Sequence, residues 1–161
     1  MQVEQQKNTT AAEGEGVEIL LVEDNPEDAE MTMRVLRKRS LASQLHWVKD
    51  GEEALDYLFC EGRYAGRDPA RPPKLVLLDI KMPKVDGIEV LRRVKASDLR
   101  TVPVVVMTSS NEERDVVESY RLGANSFVVR PMNFPTYLRV LGDIINYWLV
   151  TNEQPPGGGA Q

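Results

Sequence analysis

Cysteine is almost missing from this chain. Cys60 is the only one in 161 residues, so no disulfide can form within the chain and a packed core must hold the fold. Histidine is equally scarce. His46 stands alone, and a lone imidazole without a thiolate partner builds no transition-metal site. Long apolar runs are missing too. "VPVVVM" and "IINYWLV" are far too short to span a bilayer, and the opening "MQVEQQKNTTAAEGEG" lacks the apolar stretch of a secretory signal. There is no excess of positive charge: 25 Asp and Glu face 20 Lys and Arg, a net charge of -5 that disfavours general nucleic-acid binding. These absences predict a cytoplasmic protein that binds neither nucleic acid nor membrane.

What is present is an alternation. Short Val/Leu-rich runs at 17–22, 45–48, 75–78, 103–107 and 126–129 do not alternate with polar residues, which suits strands buried on both faces. Helical patterns separate them. Asn25-Pro26 opens the first, and Asp50 with Glu53, Asp86 with Glu89 and Ser110 with Glu113 fit a capping box. Ala29, Met33 and Leu36 share a face of the first helix; Ala54 with Leu58 and Leu55 with Phe59 line the second. The last runs from about Asn133 to Val150, and Gly123 suits a C-cap. Five strands alternating with five helices predict an α/β fold, a doubly wound parallel sheet with helices on both faces, over 17–150. Polar residues 1–16 and the Pro/Gly-rich 151–161 read as a disordered N-terminal and a flexible C-terminal tail. The segment "EGRYAGRDPARPPK" at 61–74 is long for a helix-to-strand loop and reads as a lid, a contact surface or an insertion.

The run "KLVLLDIKMP" passes from Leu75–Leu78 directly to Asp79. An unpaired buried charge is costly, so this carboxylate either caps something or works at an open edge. Sites in open parallel sheets form beyond the C-terminal ends of the strands. There the sequence places Glu23 and Asp24, then Asp79, Thr108 and Arg130. Three carboxylates together repel unless a proton or cation neutralises them, and an all-oxygen site with room for water suits Mg²⁺. Beside a metal, a hydroxyl and a cation, a carboxylate nucleophile can accept a phosphoryl group.

"ILLVEDNPED", "LVLLDIKMPKVDGIEVLRRVK", "VPVVVMTSS" and "GANSFVVRP" together resemble the CheY-like receiver domain of two-component response regulators. The resemblance spans 17–150. It implies a flavodoxin-like sheet of order 2-1-3-4-5 and phosphorylation of Asp79. It further implies Mg²⁺ held directly by Asp24 and Asp79, by Glu23 through water and by the Lys81 carbonyl. Thr108 matches the family's switch hydroxyl and Phe127 its switch aromatic. Lys81 and Ser110 occupy positions that tune phosphoryl lifetime. The family has Lys where this chain has Arg130, which bears on the strength of switching.

The phosphoryl donor implied is a histidine kinase, and the long 61–74 loop and wide last helix resemble the single-domain regulators paired with bacterial phytochromes. No helix-turn-helix is legible, so the expectation is a stand-alone phosphoacceptor that signals by docking. Phe134, Leu138, Leu141, Ile145 and Trp148 form one stripe on the last helix, and Tyr137, Val140, Ile144 and Tyr147 a second. One stripe covers a sheet; the second predicts a homodimer through this helix. His46 and Trp47 read as structural and Cys60 as inert. Other readings are a phosphate sink or constitutive dimerisation module with weak switching, an aspartyl-phosphate phosphatase, and a flavin binder. The phosphatase needs an acid where Lys81 stands. The flavin binder needs a phosphate-cradling loop where "EDNPED" stands.

Overall fold

A computed structural model describes residues 17–41, 44–82 and 84–156 of the chain; the expected N-terminal tail and residues 157–161 lie outside them. Five strands, β1 (Ile19–Val22), β2 (Leu45–Val48), β3 (Leu75–Leu78), β4 (Val104–Thr108) and β5 (Ser126–Val129), alternate with five helices. These are α1 (Pro26–Lys38), α2 (Gly51–Leu58), α3 (Gly87–Lys95), α4 (Glu113–Leu122) and α5 (Phe134–Asn146). All strand pairs are parallel and the order is β2-β1-β3-β4-β5, the expected flavodoxin-like sheet. Among the described residues no helix is long and apolar enough to cross a membrane.

The two-residue period of a strand sends each apolar run into two cores. Leu20, Val22, Val76, Leu78, Val104 and Val106 face α2 and α3; Ile19, Leu21, Leu75, Leu77, Val105 and Met107 face α1 and α5. β1, β3 and β4 are buried throughout, whereas edge strands β2 and β5 are partly exposed. This is why only the central runs look uniformly apolar. At the β5 edge the Phe127 N–H donates to the Tyr120 hydroxyl at 3.1 Å, which occupies a donor that no strand reaches.

Most helix starts agree with the sequence. Asn25 accepts from the Glu27 N–H at 2.8 Å, Asp50 from Glu53 at 2.8 Å, Asp86 from Glu89 at 3.0 Å and Asn133 from Thr136 at 3.0 Å. Gly123 ends α4 at φ 110°, a left-handed position that favours glycine. Ser110 is different. α4 has Glu112 at its cap with no side-chain bond, while the Ser110 hydroxyl donates to Asp115 Oδ2 at 2.5 Å. On α1 the buried stripe is Ala29, Thr32, Val35 and Leu36, with Met33 at its margin. A π-helical turn, Tyr147–Thr151, prolongs α5 past the expected boundary at 150, and Gln154 Nε2 donates to the Lys74 carbonyl at 2.9 Å.

The 61–74 loop leaves the C-terminal end of α2 and enters the start of β3, and on the way Arg63 and Tyr64 reach back along α2 to Glu53 in its first turn. Its Tyr64 ring meets the His46 and Tyr57 rings edge-on, while His46 stacks on Tyr57 at 4.5 Å. Arg67 covers the other side of this cluster, its guanidinium 3.8 Å from the Tyr57 ring centroid. The Tyr64 hydroxyl donates to Glu53 Oε2 at 2.7 Å, so this network assigns the proton to His46 Nε2, which donates to the Tyr64 oxygen at 2.9 Å.

Burial lowers the His46 pKa from 6.5 to about 4. The unfolded chain takes up that proton near 6.5 and the folded chain resists it. Stability should therefore be full above 6.5, fall as pH drops towards 4 and level off below. The imidazole is partly exposed, so the loss should be about 1–2 kcal/mol. Denaturant melts of wild type and His46→Gln across this range check it. The variant should lose this component of the acid slope.

Candidate functional site

Each site residue is delivered by a buried strand that stops at the same edge. β1 is followed by Glu23 and Asp24, β3 by Asp79, β4 ends on Thr108, and β5 is followed by Arg130. Registers Val22↔Leu78 and Thr108↔Val129 hold these ends level. Gly87 brings α3 against them. A Cβ there would meet the Asp79 carbonyl oxygen at 2.4 Å and Ile80 Cα at 2.5 Å, so only glycine allows this approach. Sequence reading passed over Gly87; its place directly after the Asp86 cap is the signal that was available.

One carboxylate oxygen from each of Glu23, Asp24 and Asp79 lies within 4.8 Å of the others. Glu23 and Asp79 are 4% and 7% exposed, while Asp24 is exposed. Burial raises both buried acids above the ordinary range, Glu23 to about 8 despite the opposing Arg130 charge. Asp79 Oδ1 accepts the Lys81 N–H at 2.9 Å, and the Trp47 indole donates to the Glu23 carbonyl at 2.7 Å. This crowded all-oxygen donor set, with one open acid, fits a hard divalent cation.

Arg130 is placed otherwise than expected of a phosphate-facing cation. Nη2 donates to Glu23 Oε1 at 2.8 Å and Nη1 to Asp28 Oδ2 at 3.0 Å, and the guanidinium lies 5.7 Å from the Tyr137 ring centroid. Asp28 was not singled out in the sequence. It lies in the first turn of α1, where the helix dipole favours an acid, and nothing local ties it to residue 130. Lys81 also turns aside, its Nζ 3.2 Å from Asp115 Oδ2 and 3.8 Å from Glu112 Oε1. Asp115 thereby joins Lys81 to Ser110.

Thr108 is fully buried, and its Oγ1 accepts the Ser110 N–H at 3.3 Å. Phe127, opposite Val106 in the sheet, packs half-buried against the α2–α3 core. Tyr137 is only 4% exposed beneath Arg130, so it belongs to the core and not to an external stripe. Exposed apolar residues on and beside the last helix include Met132, Phe134, Tyr147 and Val150.

A parallel sheet of this order with three acids, a hydroxyl and a cation at its carboxyl edge defines a receiver, and the chain belongs to the response regulator receiver domain family, whose profile matches residues 19–141. It is a response regulator of the two-component type, close to phytochrome response regulators. It is 42% identical to the probable methanogenesis regulatory protein FilR2 of Methanothrix harundinacea over 85% of this chain and 86% of that protein. It is 36% identical to response regulator Rcp1 of Synechocystis over 85% of this chain and 92% of Rcp1; the Mn²⁺-bound Rcp1 crystal structure superposes with a TM-score of 0.79. The bacteriophytochrome response regulator AtBRR is 51% identical over 86% of this chain and 99% of its own, with a TM-score of 0.66.

Proposed function

We propose that this response regulator accepts a phosphoryl group on Asp79 in a divalent-cation-dependent reaction. The observation that carries this reading is the convergence of Glu23, Asp24 and Asp79 oxygens within 4.8 Å at one sheet edge. An Asp79 carboxylate oxygen bonds to phosphorus as the P–N bond of a kinase phosphohistidine breaks, and the departing imidazole takes a proton from solvent. Water later adds at phosphorus and releases inorganic phosphate, which restores the carboxylate. Asp24 and Asp79 would hold Mg²⁺ directly, Glu23 through water, and the Lys81 carbonyl would be a further ligand. The ion would neutralise charge on the transferring oxygens. Thr108 supplies a hydroxyl to the phosphoryl group, and Phe127 repacks beside it as the switch aromatic.

Incubation with acetyl phosphate and Mg²⁺ should add one phosphoryl mass, and EDTA should suppress it. Uptake that persists undiminished in EDTA contradicts metal dependence. The donor in the cell is a histidine kinase, and the 51% identity to a bacteriophytochrome response regulator supports a phytochrome. The protein signals as a homodimer joined through its last helix, without nucleic acid or membrane. Arg130, engaged by two carboxylates, favours a second reading in which phosphorylation moves the switch only weakly and the chain acts as a phosphate sink or a preformed dimer.

A further inference from the structure

Arg130 is the site's cation, yet both of its terminal nitrogens are taken, by Glu23 at 2.8 Å and by Asp28 at 3.0 Å. The Arg130 and Asp28 side chains are 14% and 17% exposed, so solvent screens their attraction poorly. Arg130 Nε is buried and bonded to nothing among the described residues. No hydrogen bond joins Arg130 to Asp79 among the described residues, although both line one small pocket with Glu23 and Tyr137. A planar fork can grip two carboxylates at once, one per prong; the point charge of a lysine cannot reproduce that grip. The arginine therefore matches a place between two acids better than a place against one phosphoryl oxygen.

We propose that Asp28 is a positioning residue that parks Arg130 away from Asp79, so that the cation reaches the phosphoryl group only by giving up this pair. The proposal rests on the reading of Asp79 as acceptor. When acetyl phosphate reacts, the new bond joins an Asp79 oxygen to phosphorus as the P–O bond to acetate breaks, and acetate leaves with the electron pair. Charge on the three equatorial oxygens then competes with the Asp28 carboxylate for Arg130. Glu23 keeps the second prong near the site. The ion pair between the ends of α1 and β5 is thus a resting lock, and it resists both uptake and the response of the switch.

The test is a double-mutant cycle with acetyl phosphate and Mg²⁺, read as the initial rate of phosphoryl uptake by intact mass. Asp28→Ala should accelerate uptake roughly tenfold. The same change in an Arg130→Ala background should do nothing, because Arg130 carries the effect. Hydrogen exchange at Thr108 and Phe127 should show a larger phosphorylation-dependent change in Asp28→Ala than in wild type. An equal effect in both backgrounds overturns the proposal, since it would mark Asp28 as a helix residue only. Slower or unchanged uptake in Asp28→Ala also overturns it while leaving the acceptor reading intact. Absence of uptake by wild type removes the acceptor reading and the proposal together.

Discussion

Asp79→Asn is expected to take up no phosphoryl group from acetyl phosphate or from a kinase, and yet to be more stable than wild type when divalent ions are removed. The amide is a poor nucleophile and cannot form the acyl phosphate. Its effect on the fold has the opposite sign because the Asp79 carboxylate is 7% exposed, and burial raises its pKa. A carboxyl group raised in this way contributes least to stability when it is ionised. Without metal, stability should therefore rise as pH falls through the raised folded-state pKa. Replacing the carboxylate by an amide removes that desolvation penalty. Mg²⁺ should raise the melting temperature of wild type and much less that of Asp79→Asn, because one ligand charge is gone. Melting curves in EDTA and in Mg²⁺, with intact mass in parallel, read both effects. Phosphorylated Asp79→Asn, or a metal-free variant less stable than wild type, contradicts this account.

For the proposed homodimer, Tyr147→Glu combined with Val150→Glu is expected to yield a folded monomer. Tyr147 is 48% and Val150 73% exposed on the π-helical turn that prolongs α5. A patch on a two-fold axis faces its own copy, so one glutamate pair per chain becomes four buried like charges at the interface. The loss should exceed about 3 kcal/mol per dimer, enough to abolish association at micromolar concentration. The choice of residues matters. Tyr137, counted in the second stripe of the sequence, is 4% exposed and packs with Leu141 and Ile145 in the α1–α5 core, so a glutamate there would unfold the chain. Light scattering with circular dichroism separates the two results. Wild type that runs as a monomer at every accessible concentration contradicts the dimer.

Local signals carried far in this chain. The apolar runs marked all five strands because three of them are buried on both faces and the other two on enough of their length to remain apolar. Asn25, Asp50, Asp86 and Asn133 announced their helices because a cap is a contact over two or three residues. Glu23, Asp24, Asp79, Thr108 and Arg130 were found together because each stands at a strand end, and a parallel sheet brings all such ends to one edge. The packing of the 61–74 loop was not legible for the complementary reason: its partners, His46 on β2 and Tyr57 and Glu53 on α2, are not neighbours along the chain that a local pattern could announce.

What the sequence determined by itself is thus the order of elements, the sheet edge that holds the acids, and the residue types gathered there. The tertiary structure alone decided how those side chains are shared out. Arg130 bonds to Asp28 across 102 residues, Lys81 to Asp115 across the site, and Tyr137 to the core instead of a partner. The physical reason is range. Strands and caps follow from neighbours along the chain, whereas the partner of a long charged side chain follows from which carboxylate the packed helices leave within about 3 Å of it.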